Sequence, residues 1–212
     1  MRKFWILALL AAEACYATTN QLEFSYGRGS PESSIQANGS SESEGDRGHD
    51  WSADWLHQSG PQIYWGFGGG HFSSADHTSS TFVSVSNTVS TISSKSTNIF
   101  LLSRIDISPS PRLVPYAIFG TGWDRTSITA SAASAVTTTL IDDTHNTLGY
   151  MVGGGIDLPL TSYLYIGAEA RYQGALQRNF DLTPAGQELT DQGSVQSTMK
   201  VFSLNVKAGI KY

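Results

Sequence analysis

The connections between predicted strands alternate between short and long along the chain, and this feature constrains the fold more than any other. Segments rich in aromatic and β-branched residues with a period of two predict eight strands. They span residues 22–30, 48–57, 62–73, 97–108, 114–128, 146–158, 162–174 and 199–212. Short turns (SGP, SPSPR and PLT) follow the second, fourth and sixth strands, whereas long polar connections follow the first, third, fifth and seventh. An antiparallel up-and-down β-barrel with tight turns at one rim and long loops at the other has this pattern.

The two faces of the predicted strands differ in a way that indicates what surrounds the barrel. In the last strand the even positions from 202 to 210 are apolar, whereas the odd positions are polar or glycine. A soluble barrel of the lipocalin type would turn the apolar face inward. The polar faces here are rich in glycine and small residues with few charges, which suits a narrow lumen better than a water-facing surface. Aromatic residues near strand ends fit girdles at two membrane interfaces, namely Trp51, Trp65, Trp123, Tyr172 and Tyr212. The sequence therefore predicts an all-β, eight-stranded transmembrane barrel.

The N-terminus predicts export. Arg2 and Lys3 precede the apolar run FWILALLAA, and small residues follow up to Ala17, which is the layout of a secretory signal peptide. We expect cleavage after Ala17, so that residues 1–17 are the signal peptide and residues 18–212 form the barrel with four long external loops. The formal net charge of -5 argues against nucleic acid as a partner.

Charged residues on the predicted inner faces are the first candidate site. They are Glu23, Asp54, Arg104, Asp106, Asp124, Asp157, Glu169, Arg171, Lys207 and Lys211. Isolated ions in a low-dielectric space cost several kcal/mol each, so these groups must be paired or hydrated. Because eight strands leave an interior only just wide enough for side chains, we interpret them as a structural charge network. The alternative is a narrow channel for ions or protons.

Several runs resemble a known family. LVPYAIFGTGWDR, LGYMVGGGIDLPL, YLYIGAEARYQ and the terminal GIKY are similar to the small outer-membrane β-barrel domains of the OmpX type and of the membrane part of OmpA. The resemblance implies a Gram-negative source, an outer-membrane location with both chain ends in the periplasm, and a barrel-assembly machinery that recognises the terminal aromatic, Tyr212. It also implies contact with outer-membrane lipid and lipopolysaccharide. Since no segment follows Tyr212, we expect no peptidoglycan-binding domain of the OmpA kind.

A His-x-Ser pair is the only candidate for catalysis. His71 and Ser73 share a face at the end of the third strand, so the imidazole could activate the hydroxyl. The runs EFSYGRGS and DWSADW resemble the first strands of lipid A deacylase barrels, but the place of their signature strand here is EARYQGALQ, with neither His nor Ser. The same spacing recurs at His57 and His77 in this Ser-rich chain. We therefore expect His71 to be an interfacial polar residue and the protein to have no catalytic activity, no cofactor and no metal.

The long connections suggest where a partner could bind. Residues 81–93 and 127–139 keep a partial alternation beyond the predicted membrane-spanning part, so these hairpins are expected to project as a sheet above the surface. An unpaired sheet edge can add an extended segment from another protein. The sequence thus favours a structural or surface-interaction role, such as adhesion or host-protein binding. The alternative is a flexible exterior without a fixed partner.

Overall fold

The computed structural model describes residues 19–32, 34–37, 40–43, 45–79, 89–107, 110, 112–133, 137–190 and 193–212. The predicted signal peptide lies outside these ranges, so its cleavage stays a prediction.

Eight long strands form a closed antiparallel barrel. They are β1 (Asn20–Pro31), β4 (Asp46–Gln58), β5 (Ile63–Ala75), β7 (Val89–Asp106), β8 (Val114–Ala133), β9 (Thr137–Pro159), β10 (Leu164–Ala175) and β13 (Lys200–Lys211). Each strand pairs with the next of these along the chain, and β13 pairs with β1 to close the barrel. The predicted fold class is therefore confirmed. The end that holds the three short connections is called the turn end below, and the opposite end the loop end.

The long connections carry the remaining elements. These are β2 (Ser34–Ala37), β3 (Ser40–Ser43), β6 (His77–Ser79), β11 (Arg178–Asp181), α1 (Pro184–Thr190) and β12 (Ser194–Ser197). A small sheet with strand order β11-β12-β2-β3 joins the first and fourth long connections through the pairing of Gln36 with Gln196. Strand β6 pairs with β7. Within the described ranges, no helix is long and apolar enough to cross a membrane.

The strands on either side of the second and third long connections extend beyond their predicted bounds. Strand β7 begins at Val89 instead of residue 97, β8 continues to Ala133 instead of 128, and β9 begins at Thr137 instead of 146. The three strands pair with one another over these extensions, from Val89 opposite Ala133 onward. The predicted strand bounds stop short of these extensions, but the partial alternation of residues 81–93 and 127–139 predicts that the strands continue as a sheet. The structure confirms this for residues 89–93, 127–133 and 137–139, which cross-strand pairing stabilises. Residues 81–88 and 134–136 lie outside the described residues.

The outer face of the barrel is apolar and exposed. Leu22 is 47% exposed, Ile99 57% and Val206 69%. The alternate residues of the same strands point inward and are buried, among them Glu23 and Asn98. A soluble protein rarely exposes so large a contiguous apolar surface, but lipid chains cover such a band. The orientation is thus that of a membrane barrel, with the apolar face outward.

The loop end is closed by a folded unit that we call the cap. It comprises β2, β3, β11, α1, β12 and the extensions of β7, β8 and β9 beyond the barrel wall. Its apolar core includes buried residues of β2, β7, β8, β9, β11 and β12 and the residue that follows β11, namely Ile35, Ile92, Ile128, Ala130, Ala132, Leu140, Ile141, Phe180, Leu182 and Val195. Ile92, Ile128 and Ala130 continue the inward-facing rows of β7 and β8, so the cap core lies over the lumen.

Candidate functional site

A charged cluster near the turn end is centred on Arg104, whose side chain is fully buried. The guanidinium donates from Nη1 to Glu23 Oε1 at 2.5 Å, from Nε to Asp106 Oδ1 at 2.7 Å and from Nη2 to Asp157 Oδ2 at 2.6 Å. Lys207 Nζ lies 3.0 Å from Glu23 Oε2 and 3.1 Å from Asp157 Oδ1. Three carboxylates thus share two cations, and inward-facing rows of four different strands bring them together.

Two tyrosines complete this cluster and connect it to the next one. The Tyr116 ring contacts both cations, with its centroid 3.9 Å from Arg104 Cζ and 4.0 Å from Lys207 Nζ. Cation–π contacts of this kind are strongest where water is excluded. The Tyr165 hydroxyl donates to Glu23 Oε1 at 2.6 Å, and the Tyr116 hydroxyl donates to Glu169 Oε2 at 2.7 Å. Each tyrosine hydroxyl therefore donates to a carboxylate oxygen whose lone pairs the cations do not fully occupy.

A second cluster surrounds Arg171, which forms ion pairs with Asp54 and Glu169. Its Nη1 also donates to Ser52 Oγ at 2.8 Å. These groups come from β4 and β10, which lie on opposite sides of the β1–β13 pair. Their side chains therefore meet across the lumen and not along the wall.

A third cluster lies at the loop end, where Arg178 of β11 reaches down into the lumen. Its Nη2 lies 3.1 Å from Asp124 Oδ1 and 2.8 Å from Thr126 Oγ1. Asp124 Oδ2 also accepts from Ser96 Oγ at 2.6 Å. The sequence predicts a polar loop at Arg178, so no strand periodicity indicates that its side chain points into the lumen. Its contact ties the fourth long connection to the barrel wall.

The structure places nine of the ten residues of the predicted network inside the barrel, and all nine are buried. Lys211 lies at the turn-end mouth, partly exposed, with Nζ 5.3 Å from the Tyr165 ring centroid. Sequence reasoning missed Arg178 and the tyrosines, and it also missed Asp50, which accepts from Asn205 Nδ2 at 2.9 Å. The period-two pattern could have included Asp50, since it shares a face with Asp54.

Apolar side chains share the lumen with these charges. Phe100 and Leu102 lie between Asn98 and Arg104 in the inward row of β7, and they pack with five other buried apolar or aromatic residues. Together with the cap core, these side chains occupy the lumen at several levels, as expected for so narrow a barrel.

The predicted His–Ser pair faces the outside of the barrel. His71 Nδ1 is hydrogen-bonded across the strand pair to Thr97 Oγ1 at 2.9 Å, and its ring lies 6.2 Å from that of Trp51. A serine nucleophile needs its base within hydrogen-bond reach, and the Nδ1 contact of His71 is to Thr97 and not to Ser73. Among the described residues, no group of three or more His, Cys, Asp or Glu side chains is arranged to hold a metal ion.

Asp143 anchors the fourth long connection to β9 within the cap. Its carboxylate accepts from the backbone N–H of Asp181 at 2.8 Å and of Thr144 at 2.7 Å, and it lies 3.0 Å from His145 Nε2. Burial would raise the pKa of Asp143, but these hydrogen bonds outweigh it and hold the pKa below its ordinary value of 3.8. The ionised carboxylate is therefore part of the cap's structure.

No protein-family model matches the chain, and no curated protein matches it in sequence. Solved structures resemble it in fold. A major outer membrane protein from Thermus thermophilus aligns over 93% of this chain and 100% of its own, with 14% identity and a TM-score of 0.58. The outer membrane protease OmpT from Escherichia coli aligns over 92% and 97%, with 7% identity and a TM-score of 0.57. The outer membrane protein OprG from Pseudomonas aeruginosa aligns over 92% and 96%, with 13% identity and a TM-score of 0.51. The chain therefore has the fold of bacterial outer-membrane β-barrel proteins.

Proposed function

We propose that this protein is an outer-membrane barrel with a structural and surface-interaction role and without catalytic activity, and that the cap is its interacting surface. This proposal depends mainly on one observation: the described parts of the first and fourth long connections fold together with the extensions of β7, β8 and β9 around an apolar core. Such a surface holds its shape before a partner arrives, which lowers the ordering cost of binding. A loose Ser/Thr-rich exterior would lack this property.

The edge of the small sheet supports binding by strand addition. Within the described residues, β3 pairs with β2 on one side only, so its other edge leaves backbone N–H and C=O groups unpaired. Such an edge can accept an extended segment of another protein. A host or surface protein with an accessible extended segment is the kind of partner that fits this geometry.

The lumen and the His–Ser pair support the absence of transport and catalysis. The ion-pair clusters, the apolar layer and the cap core place buried side chains at several levels of the lumen, and Arg178 links the cap to the barrel wall at the loop end. At the His–Ser pair, Nδ1 of His71 is hydrogen-bonded to Thr97 Oγ1 and not to Ser73. We accordingly propose that the charge network is structural, and that neither a channel nor a lipid A hydrolase is present.

The terminal aromatic supports assembly of the barrel in the outer membrane. Tyr212 is 63% exposed, and its backbone is hydrogen-bonded in both directions to Asn20 at the point of barrel closure. A recognition signal must be accessible while the last strand docks, and Tyr212 meets this condition. We propose that the barrel-assembly machinery recognises it.

Surface display on a heterologous Gram-negative cell tests the adhesion role. Cells that display the wild-type protein should adhere to cultured host cells or matrix-coated plates more than cells with the empty vector. Phe180→Ala removes a fully buried ring from the cap core, at a local cost of about 3–5 kcal/mol, and should abolish the gain. Phe119→Ala, on the exposed outer face of the barrel, is the matched control and should leave it intact. Wild-type cells that adhere no better than vector cells would refute the role.

Two further measurements test the excluded activities. Mass spectrometry of lipid A should give the same acylation pattern with the wild-type protein, with Ser73→Ala and without the protein. Planar-bilayer recordings should give no steady conductance. Loss of an acyl chain that depends on Ser73 would establish a hydrolase, and steady conductance that changes in Arg104→Ala would establish a channel.

A further inference from the structure

A groove on the outer face of the barrel lies across β1, β13, β10 and β9. Its volume is about 780 Å³, and its walls include the exposed apolar side chains of Ile156, Leu204 and Val206. Ala168 of β10 lies in register between the larger Ile156 and Val206, which leaves a depression in the outer face at this point. The groove is continuous with the apolar band, so lipid chains surround it in a membrane.

Basic side chains border the loop end of this groove. Arg28 of β1 is exposed and lies in register with Leu204 on one side and with His49 on the other. A smaller adjoining cavity of about 220 Å³ is lined by both Arg28 and Arg47 together with Phe202 and Leu204. Arg28 therefore lines both cavities, and Arg47 lines the smaller one that adjoins the loop end of the groove, where lipid headgroups begin.

The described residues that line the two cavities offer these cations no exposed carboxylate. Among the described residues that line the two cavities, Glu169 is the one acidic side chain, and it is 3% exposed and forms an ion pair with Arg171 inside the lumen. On the outside, the Tyr26 hydroxyl lies 2.8 Å from His49 Nδ1, and the two rings are stacked with centroids 5.9 Å apart. This contact fixes the His49 ring beside Arg28.

We propose that the groove binds a phosphate-bearing lipid of the outer leaflet. Arg28 and Arg47 hold the phosphate, because guanidinium groups match phosphate oxygens in charge and in the geometry of their donors. An acyl chain lies in the apolar groove along Leu204 and Val206. This site rests on the placement of the loop end at the cell surface, which belongs to the proposed function, but it does not depend on any partner of the cap.

Native mass spectrometry of the full-length mature protein, folded in zwitterionic micelles, tests the site. The probes are bis-phosphorylated lipid A, the same lipid after dephosphorylation, and inorganic phosphate as a competitor. We expect the phosphorylated lipid to be retained, and the double variant Arg28→Ala/Arg47→Ala to bind it at least about tenfold more weakly. Arg125→Ala removes an exposed charge near the same end of β8, away from the groove, and should change the affinity by less than about twofold. Heat-modifiable migration on a denaturing gel confirms that each variant is folded.

Three outcomes would overturn the proposal. The first is equal retention of the lipid by the double variant and the wild-type protein. The second is equal retention of the dephosphorylated and the phosphorylated lipid by the wild-type protein. The third is displacement of the lipid by inorganic phosphate at similar concentration, which would indicate a plain anion site. Ala168→Phe fills the groove below the cations, so it should weaken retention of the lipid, and unchanged retention would refute the acyl-chain placement. Phe180→Ala, which perturbs the cap, should leave lipid retention unchanged. Failure of the adhesion role and failure of the lipid site are therefore distinguishable.

Discussion

Replacement of Arg104 by methionine tests whether the interior charges stabilise the barrel as a paired network. In the wild-type protein three carboxylates share Arg104 and Lys207, and Arg104 has no exposed surface. Methionine fills a similar volume but leaves the three carboxylates with Lys207 alone. Breaking a buried ion pair from one side costs about 3–5 kcal/mol, because a charge stays buried without compensation. We expect Arg104→Met to lower the free energy of unfolding by about that amount.

A second substitution distinguishes charge balance from lost packing. Arg104→Met/Asp157→Asn removes one carboxylate and so restores the original excess of one negative charge in the cluster. If charge balance is the cause, the double variant should be more stable than Arg104→Met by about 1–3 kcal/mol, since contacting residues are not additive. Arg112→Met, at an exposed short turn, should change the stability by less than about 0.5 kcal/mol.

Urea-induced unfolding in phospholipid vesicles measures these differences, with tryptophan fluorescence and the heat-modifiable gel shift as independent probes. Unfolding and refolding curves must coincide before a free energy is taken from them. A loss below about 1 kcal/mol in Arg104→Met would mean that water hydrates the carboxylates and that the lumen is wet. A double variant as unstable as the single variant would refute charge balance as the cause. A wet lumen would revive the channel hypothesis.

Further predictions concern close packing and pH. Gly209→Ala places a methyl group against the Tyr165 ring and should reduce the yield of folded barrel, whereas Gly193→Ala meets nothing within 4 Å and should fold like the wild-type protein in the same gel-shift assay. Because the folded-state pKa of Asp143 is lowered, its contribution to cap stability is full above its ordinary pKa of 3.8 and is lost as the pH falls through the lower folded value. Protection of the Asp181 amide against hydrogen exchange, relative to its intrinsic exchange rate at the same pH, should therefore decrease below about pH 4 in the wild-type protein. In Asp143→Asn the amide should already be less protected at about pH 6, and equal protection in both proteins would refute the role of this carboxylate.

The sequence predicts the barrel well because strand signals and connection lengths agree. The predicted start of the fifth strand at residue 114 coincides with that of β8, and the predicted last strand, 199–212, lies close to β13 at both ends. Each inward position follows from the period of two, so the sequence alone places buried residues such as Glu23 and Arg171 in the lumen. A one-residue error of register would have turned the apolar face inward.

The cap could not be predicted in the same way. Strands β2 and β12 are four residues long, polar in sequence and far apart in the chain, so no periodic signal predicts that Gln36 pairs with Gln196. The apolar residues of the cap core occur singly in Ser/Thr-rich runs. Only the fold of the barrel brings them together. The inward position of Arg178 likewise follows from this pairing and has no local signature.

The extensions of β7, β8 and β9 beyond the barrel wall explain why the cap has an apolar core. Along the inward row of β8, polar Asp124 and Thr126 are followed by Ile128 and Ala130. The polar part of that row faces a lumen in which charges are paired, whereas the apolar part continues beyond the contact of Arg178 with Asp124. An apolar row with nothing beside it would be exposed to water, so strands from the first and fourth connections cover it, and the burial stabilises them in return. Barrel and cap are therefore one continuous inward-facing surface, and along β8 the change from Asp124 and Thr126 to Ile128 and Ala130 marks the boundary between them.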